Sequence, residues 1–475
     1  MYAGAHAIGE DFRQGGSGAG AGVCLWAVAL DPALLSRNVR GRLKVNCRVD
    51  AIPSASEIES DGARLLMAST DDLLGLGSDP RVREAAQTAL RKNGLSRHDG
   101  SRAQEDFEAR ARSLFGAAGA LVVSHEEAVL PLLPTWRLAA ETRGRRAIPE
   151  AAQITSPEDA EAALGHPGML GLVIEAVHPL EGDLAPTPRF AEACQRRHSN
   201  LIVIDDGLGV LGPTGGGAIE HLSLQEQVTL RILPLGGAIP GTGALLLGEP
   251  ELLDTLRGAL APPNAVLLAA SARALDIAVT EGARRSRLFD VAQKLLTALQ
   301  KRGFDTGPCV TPWIPVWLGD EALCEQWLAG LAELGVCCRG WLAGPRSRLL
   351  LAAPATLTDG QLGQLVDAFE RLSRKLQVPV TGALAREAPV LARPGSYAMG
   401  APAALHWLTV EPRERRPLEP EVPATTPPSS PENLTLRELF SDAVETVTWR
   451  ATSVGGAQLR RSAEALRTLI DRRRR

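Results

Sequence analysis

Four consecutive apolar residues, Leu201-Ile202-Val203-Ile204, run directly into Asp205-Asp206 and then into a glycine-rich turn ending at Gly215-Gly216-Gly217. An unbroken apolar run of this length reads as a strand buried on both faces, as in a parallel sheet. Open α/β sheets bind ligands beyond the carboxyl ends of their strands, where these two carboxylates stand. The stretch therefore points to an α/β architecture and makes Asp205 a candidate site residue. Taken alone, acids in this position more often cap a loop than hold a ligand. The context has to come from the rest of the chain.

Strand and helix signals alternate on either side. Asp61-Gly62 reads as a tight turn and Arg64–Ala68 as a short strand. Asp79-Pro80 opens a helix, with Asp at the N-cap and Pro at the first helical position, and Asn93-Gly94 closes it. Gln104–Phe115 is a second amphipathic helix and Ala120–Val123 a buried strand. A helix over Pro157–Leu164, a strand over Leu170–Ile174 and a helix over Arg189–Arg197 lead into the 201–204 strand. Helices follow over 250–260 and, as one long element, over 265–302. Beyond Phe304 the pattern is that of a smaller α+β unit, with strands at 314–318 and 348–352 and helices at 321–334 and 359–372. Residues 411–432 carry many prolines among Glu, Arg, Thr and Ser, the composition of an extended linker. Helical patterns over 436–447 and 457–470 and a run of four arginines end the chain.

A chain of 475 residues is too long for one compact core. Its net charge of −4 gives no reason to expect a nucleic-acid partner. The apolar run over 18–30 is too short to span a bilayer, and Glu10 and Asp11 before it make a poor secretory signal. No transmembrane segment is expected. Seven cysteines occur without a Cys-x-x-Cys spacing, which favours reduced thiols, a cytoplasmic protein and no metal site. Lysine is scarce: only Lys44, Lys92, Lys294, Lys301 and Lys375 are present.

The order of landmarks over 61–378 resembles one family. Ala68-Ser69-Thr70-Asp71-Asp72-Leu73-Leu74-Gly75-Leu76 is similar to the entry motif of the α-oxoamine synthases. Gly100-Ser101-Arg102 is similar to their Gly-Ser-Arg, and Gly209–Gly217 to their Gly-Val-Leu-Gly-x-x-Gly-x-Gly. Trp313–Asp320 resembles the opening of their small domain. These enzymes, which include serine palmitoyltransferase and 8-amino-7-oxononanoate synthase, use pyridoxal phosphate (PLP) to condense an amino acid with an acyl-CoA. The resemblance implies a fold-type I PLP-transferase: a large domain with a mainly parallel sheet flanked by helices, and a smaller α+β domain. The expected division is an N-terminal extension (1–60), a large domain (61–302), a small domain (303–378), a linker (379–432) and a helical basic tail (433–475).

The chemistry departs from the family. PLP catalysis needs a lysine amine for the Schiff base, and the residue that falls on the family's lysine is Leu233. Arg231 lies nearby, but a guanidinium stays protonated and forms no aldimine. The resemblance makes Asp205 the partner of the cofactor's ring nitrogen, but the histidine that should follow it is missing. His125 stands near the position of the ring-stacking residue, as a vestige. Arg348 lies two residues before Leu350, which aligns with the arginine that clamps the substrate carboxylate. Two residues along a strand keep the same face, so Arg348 is the candidate stand-in. His178 reads as a loop histidine.

The resemblance thus implies no catalytic residue, no covalent cofactor and, if any cofactor, PLP held noncovalently. It implies a degenerate homologue acting as a structural or regulatory partner subunit, in a homodimer or a heterodimer with an active paralogous synthase. Two alternatives stay open: an active PLP-dependent acyltransferase- or aminotransferase-like enzyme using a partner's lysine or noncovalent PLP, and a small-molecule sensor that keeps the cleft.

Overall fold

The computed structural model describes residues 41–96, 101–133, 137–142, 148 and 151–376. Four strands come first: β1 (Arg42–Val45), β2 (Ala51–Ser54), β3 (Glu57–Ser60) and β4 (Ala63–Met67). Asp61 and Gly62, between β3 and β4, take φ of 48° and 77°, the doubly positive pattern of a tight hairpin turn. Helix α1 (Pro80–Asn93) starts where the Asp79 carboxylate accepts from the Arg81 N–H, and α2 (Arg102–Phe115) starts at the Ser101 cap. Gly116 ends α2 in the left-handed conformation at φ 59°.

Strands β5 (Gly119–Val123), β6 (Leu138–Glu141) and β7 (Ala152–Gln153) follow, then α3 (Pro157–Leu164) and β8 (Gly171–Glu175). A two-residue ladder, β9 (Val177–His178) with β10 (Asp183–Leu184), precedes α4 (Thr187–Arg196). Next come β11 (Asn200–Ile204), the short α5 (Ala218–His221), β12 (Leu230–Pro234) and β13 (Ala244–Gly248). Helices α6 (Pro250–Arg257), α7 (Ala265–Thr280) and α8 (Gly282–Lys301) lead to β14 (Ile314–Trp317), α9 (Glu321–Glu333), β15 (Val336–Cys337), β16 (Arg339–Leu342), β17 (Arg348–Leu351) and α10 (Asp359–Leu376).

Seven strands form the main sheet in the order β5-β13-β12-β11-β8-β6-β7. Every pairing is parallel except those of β13, which runs antiparallel to both neighbours. The architecture is the expected fold-type I one, with a mainly parallel sheet flanked by helices. In β11, Leu201 and Val203 enter one apolar core and Ile202 and Ile204 the other, so both faces are covered. That is why the run has no polar alternation. Two four-stranded sheets, β1-β16-β17-β14 and β15-β4-β3-β2, combine strands from before α1 with strands from after α8, and the Phe304 ring packs edge to face against both Trp327 and Phe369.

Three expectations change. Residues 42–60, expected as part of an N-terminal extension, form strands: β1 pairs with β16, and β2 and β3 join β4, which itself pairs with β15. The single helix expected over 265–302 is two helices, broken at Glu281 (φ −99°, ψ 62°), where the Glu281 carboxylate accepts from Arg81 and Arg284. The cysteines are not all reduced: Cys47 and Cys337, 290 residues apart, form a disulfide with a Cα–Cα separation of 6.0 Å. Spacing in sequence carries no trace of such a pair. It is assembled when the segment after β1 is laid beside β15. The linker and tail expected over 379–432 and 433–475 lie outside the described residues.

Candidate functional site

The parallel strands bring their carboxyl ends to one edge. Ile204 of β11 is level with Glu175 of β8, and Glu141 of β6 is level with Ile174. Ala244 of β13 aligns with Pro234 on one side and Val123 on the other. Asp205, Glu175 and Glu141 therefore stand along one edge, each almost fully buried.

Asp205 is enclosed by donors. Its Oδ1 accepts from the N–H groups of Gly207 (3.0 Å) and Ala218 (2.9 Å). Its Oδ2 accepts from the Ile219 N–H (3.1 Å) and from Arg231 Nη2 (2.8 Å) and Nε (3.2 Å). Those five donors occupy the roughly four lone-pair positions a carboxylate offers. Arg231 is itself buried. It sits on β12 level with Val203, donates through Nη2 to the Gly216 carbonyl as well, and has the Phe115 ring 5.9 Å away. Gly217 follows at φ 98°, and a Cβ there would lie 2.5 Å from Asp205 Oδ2 and 2.7 Å from Arg231 Nη2. Only glycine closes the turn this tightly over the ion pair.

The glycine turn is likewise committed to the chain itself. Glu220 accepts from the N–H groups of Gly216 (2.7 Å) and Thr214 (3.2 Å) and from the Thr214 hydroxyl (2.6 Å). Gly209 N–H donates to the Gly215 carbonyl and Gly217 N–H to that of Leu211. Backbone donors of the kind that cradle anions in other glycine-rich loops are satisfied internally here. Beside them His221 is held below its ordinary pKa by burial, partly offset by Asp205 and Glu220.

A second buried cluster lies along the same edge. His178 donates between two carboxylates, with Nδ1 2.9 Å from Asp183 Oδ1 and Nε2 3.2 Å from Glu141 Oε2. Burial works against its charge, but the hydrogen bonds and fields of Asp183 and Glu141 outweigh it, and its pKa is pushed up to about 10. His178 thus sits in a short strand between two carboxylates that favour its charged form, and is not the loop histidine expected from sequence. Arg348 lies over the Trp317 ring at 4.1 Å with Glu181 3.7 Å from its Nη1. Its Nε and Nη1 are buried without a hydrogen-bond partner among the described residues. Of the three residues singled out in the sequence, Asp205 is at the centre of this edge and Arg348 in the smaller unit. His125 is exposed just past β5, its Nδ1 2.7 Å from Ser124 Oγ. Three strand spacings, roughly 14 Å, separate β5 from β11.

No protein-family model matches the chain. Among curated proteins, an 8-amino-7-oxononanoate synthase from Anaeromyxobacter dehalogenans is 30% identical over 319 residues, covering 60% of this chain and 78% of that protein. This chain belongs to the α-oxoamine synthase family. A second 8-amino-7-oxononanoate synthase, from Halorhodospira halophila, is 28% identical over 390 residues, covering 74% of this chain and 96% of its own. Among solved structures, the serine palmitoyltransferase of Sphingomonas wittichii has the same fold, with a TM-score of 0.65 at 20% identity over 70% of this chain and 93% of that one. The 8-amino-7-oxononanoate synthase of Francisella tularensis has a TM-score of 0.57 at 17% identity, covering 66% and 98%.

An α-oxoamine synthase holds PLP, and the residues of this edge are the ones that would receive it. They do not fit. Asp205 has no acceptor position left for a ring N–H while Arg231 holds it. Leu233, on the same face of β12 as Arg231 and fully buried, offers no amine. The five lysines are elsewhere: Lys44 pairs with Glu325, Lys294 with Asp359 and Lys375 with Glu333, while Lys92 and Lys301 lie at helix ends. In the sequence Arg231 stands out only as a residue that cannot form an aldimine; its pairing with Asp205 is seen in the structure alone. A signal existed: Arg231 is the single charge in an otherwise apolar strand, and a buried guanidinium demands a carboxylate.

Proposed function

We propose that this chain is a non-catalytic α-oxoamine synthase homologue, a structural or regulatory partner subunit of an active PLP-dependent enzyme that condenses an amino acid with an acyl-CoA. The saturation of Asp205 by Arg231 and three backbone N–H groups, with Leu233 in place of an amine, carries this reading. A chain that keeps the family fold while filling its own site retains what a subunit needs, which is a shape that docks. Its role is then to buttress the partner and shape the partner's site, with no chemistry at its own sheet edge. Relatives named 8-amino-7-oxononanoate synthase support the type of partner.

The test is to co-express the chain with α-oxoamine synthases of its own source and separate the products by size exclusion. The reading predicts a stable heteromeric species whose condensing activity or half-life exceeds that of the synthase alone. A chain that joins no synthase and changes no synthase's activity contradicts it. Amino-acid-dependent release of CoA by the chain alone, carrying PLP, would make it an enzyme instead.

A further inference from the structure

We propose that Arg231 is a built-in occupant of a cation site at Asp205, and that this site, emptied of the arginine side chain, takes a small planar cation of the guanidinium or imidazolium class. This deepens the partner-subunit reading and rests on it in one respect: a chain without a cofactor must neutralise Asp205 by other means.

The argument starts from charge. A carboxylate that is 0% exposed is costly to bury without a positive partner, whatever its hydrogen bonds. The N–H groups of Gly207, Ala218 and Ile219 take part of its accepting capacity but carry no net charge. His221, held below its ordinary pKa by burial, does not supply it. Arg231 does, from the neighbouring strand, with two of its nitrogens on Oδ2.

The surroundings of the guanidinium form a receptor for a planar cation. Asp205 Oδ2 and the Gly216 carbonyl accept its N–H groups and the Phe115 ring lies 5.9 Å from its centre. Two acceptors and an aromatic face are what such a cation binds. The residue that delivers the guanidinium is anchored by the β12 ladder at Leu230–Pro234, so truncating it at Cβ leaves those walls standing. Arg231 also ties β12 to the glycine turn, since one nitrogen bridges Asp205 and Gly216. Losing it should loosen both.

The experiment measures melting temperature for the full chain, Arg231→Ala and Arg231→Ala/Asp205→Asn, each with guanidinium chloride or imidazolium chloride at low millimolar concentration against matched sodium chloride. Arg231→Ala is expected to melt below the unsubstituted chain and to recover about half of the loss with either planar cation, by mass action on the folded state. Neither the unsubstituted chain nor the double variant should respond. Should Arg231→Ala fail to fold, Arg231→Lys keeps the charge without the fork, and the same cations are then expected to leave it unmoved while refolding yield of Arg231→Ala rises in their presence. Melting of Arg231→Ala at the unsubstituted temperature, or absence of any cation effect on its melting or refolding, overturns the proposal. An internal-aldimine absorbance in the unsubstituted chain would instead overturn the partner-subunit reading, and leaves the cation rescue to be judged by its own result.

Discussion

Replacing Arg231 by Met removes the charge opposite a fully buried carboxylate that keeps its three backbone donors. Breaking one side of a buried pair leaves an uncompensated charge, a loss of about 3–5 kcal/mol that urea unfolding at neutral pH will read. Gly217→Ala should be destabilising for two reasons that add: φ of 98° is foreign to alanine, and the new Cβ meets both members of the pair. His178 makes a pH prediction. Its pKa rises from the ordinary 6.5 to about 10 on folding, so its contribution is complete below pH 6.5 and is lost as pH climbs through 10. The urea midpoint should therefore fall between pH 7 and pH 10, and His178→Gln should flatten that slope. Asp205 was legible in the sequence because a buried strand ending in an acid is a local pattern. Its pairing was not, because Arg231 lies 26 residues later and meets it only across two parallel strands.

At the scale of elements, the helices that announced themselves did so through local chemistry. Asp79-Pro80 fixes the start of α1 by a cap and a pre-set φ, and the structure adds what the sequence left out: Arg81 and Arg284 both hold the Asp79 carboxylate. Chiefly through the Arg81 side-chain hydrogen bond, its pKa falls to about 2. Asp79→Ala removes cap and ion pairs together and should cost about 2 kcal/mol, the upper end of N-cap losses. The group's folded pKa is depressed, so that stability is present above the ordinary carboxylate range and fades as pH drops toward 2; comparing unfolding at pH 6 and pH 3 checks the sign. Glu281 takes the same two arginines and marks the break between α7 and α8. Only Gly282 hinted at that break in the sequence. Apolar periodicity runs on through 265–302, since both helices bury a face in the same core.

For the whole molecule, the strands β1–β3 show where sequence reading stops. Their polar, short segments carry weak periodicity; β2 and β3 pair locally with β3 and β4, but the partner of β1 lies nearly three hundred positions away. The Cys47–Cys337 bridge fastens this N-terminal stretch to β15. Closing so long a loop stabilises the fold by about 2–5 kcal/mol in the chain-entropy account. Reduction should release two thiols to alkylation and lower the melting temperature, and Cys47→Ser should melt at that lower temperature with or without reductant. The fold itself was legible at this scale because alternating strand and helix signals survive any substitution in the site. Among the described residues no helix is long and apolar enough to cross a membrane.

We propose that Arg231 and Leu233 close the cofactor site of this family member. The most direct test is to incubate the purified chain with PLP, record its absorbance, reduce with borohydride and map any adduct by mass spectrometry. The account predicts a spectrum equal to that of free PLP plus protein and no reduced adduct on any residue of the sheet edge. An aldimine band that borohydride fixes onto a lysine of this chain would contradict it.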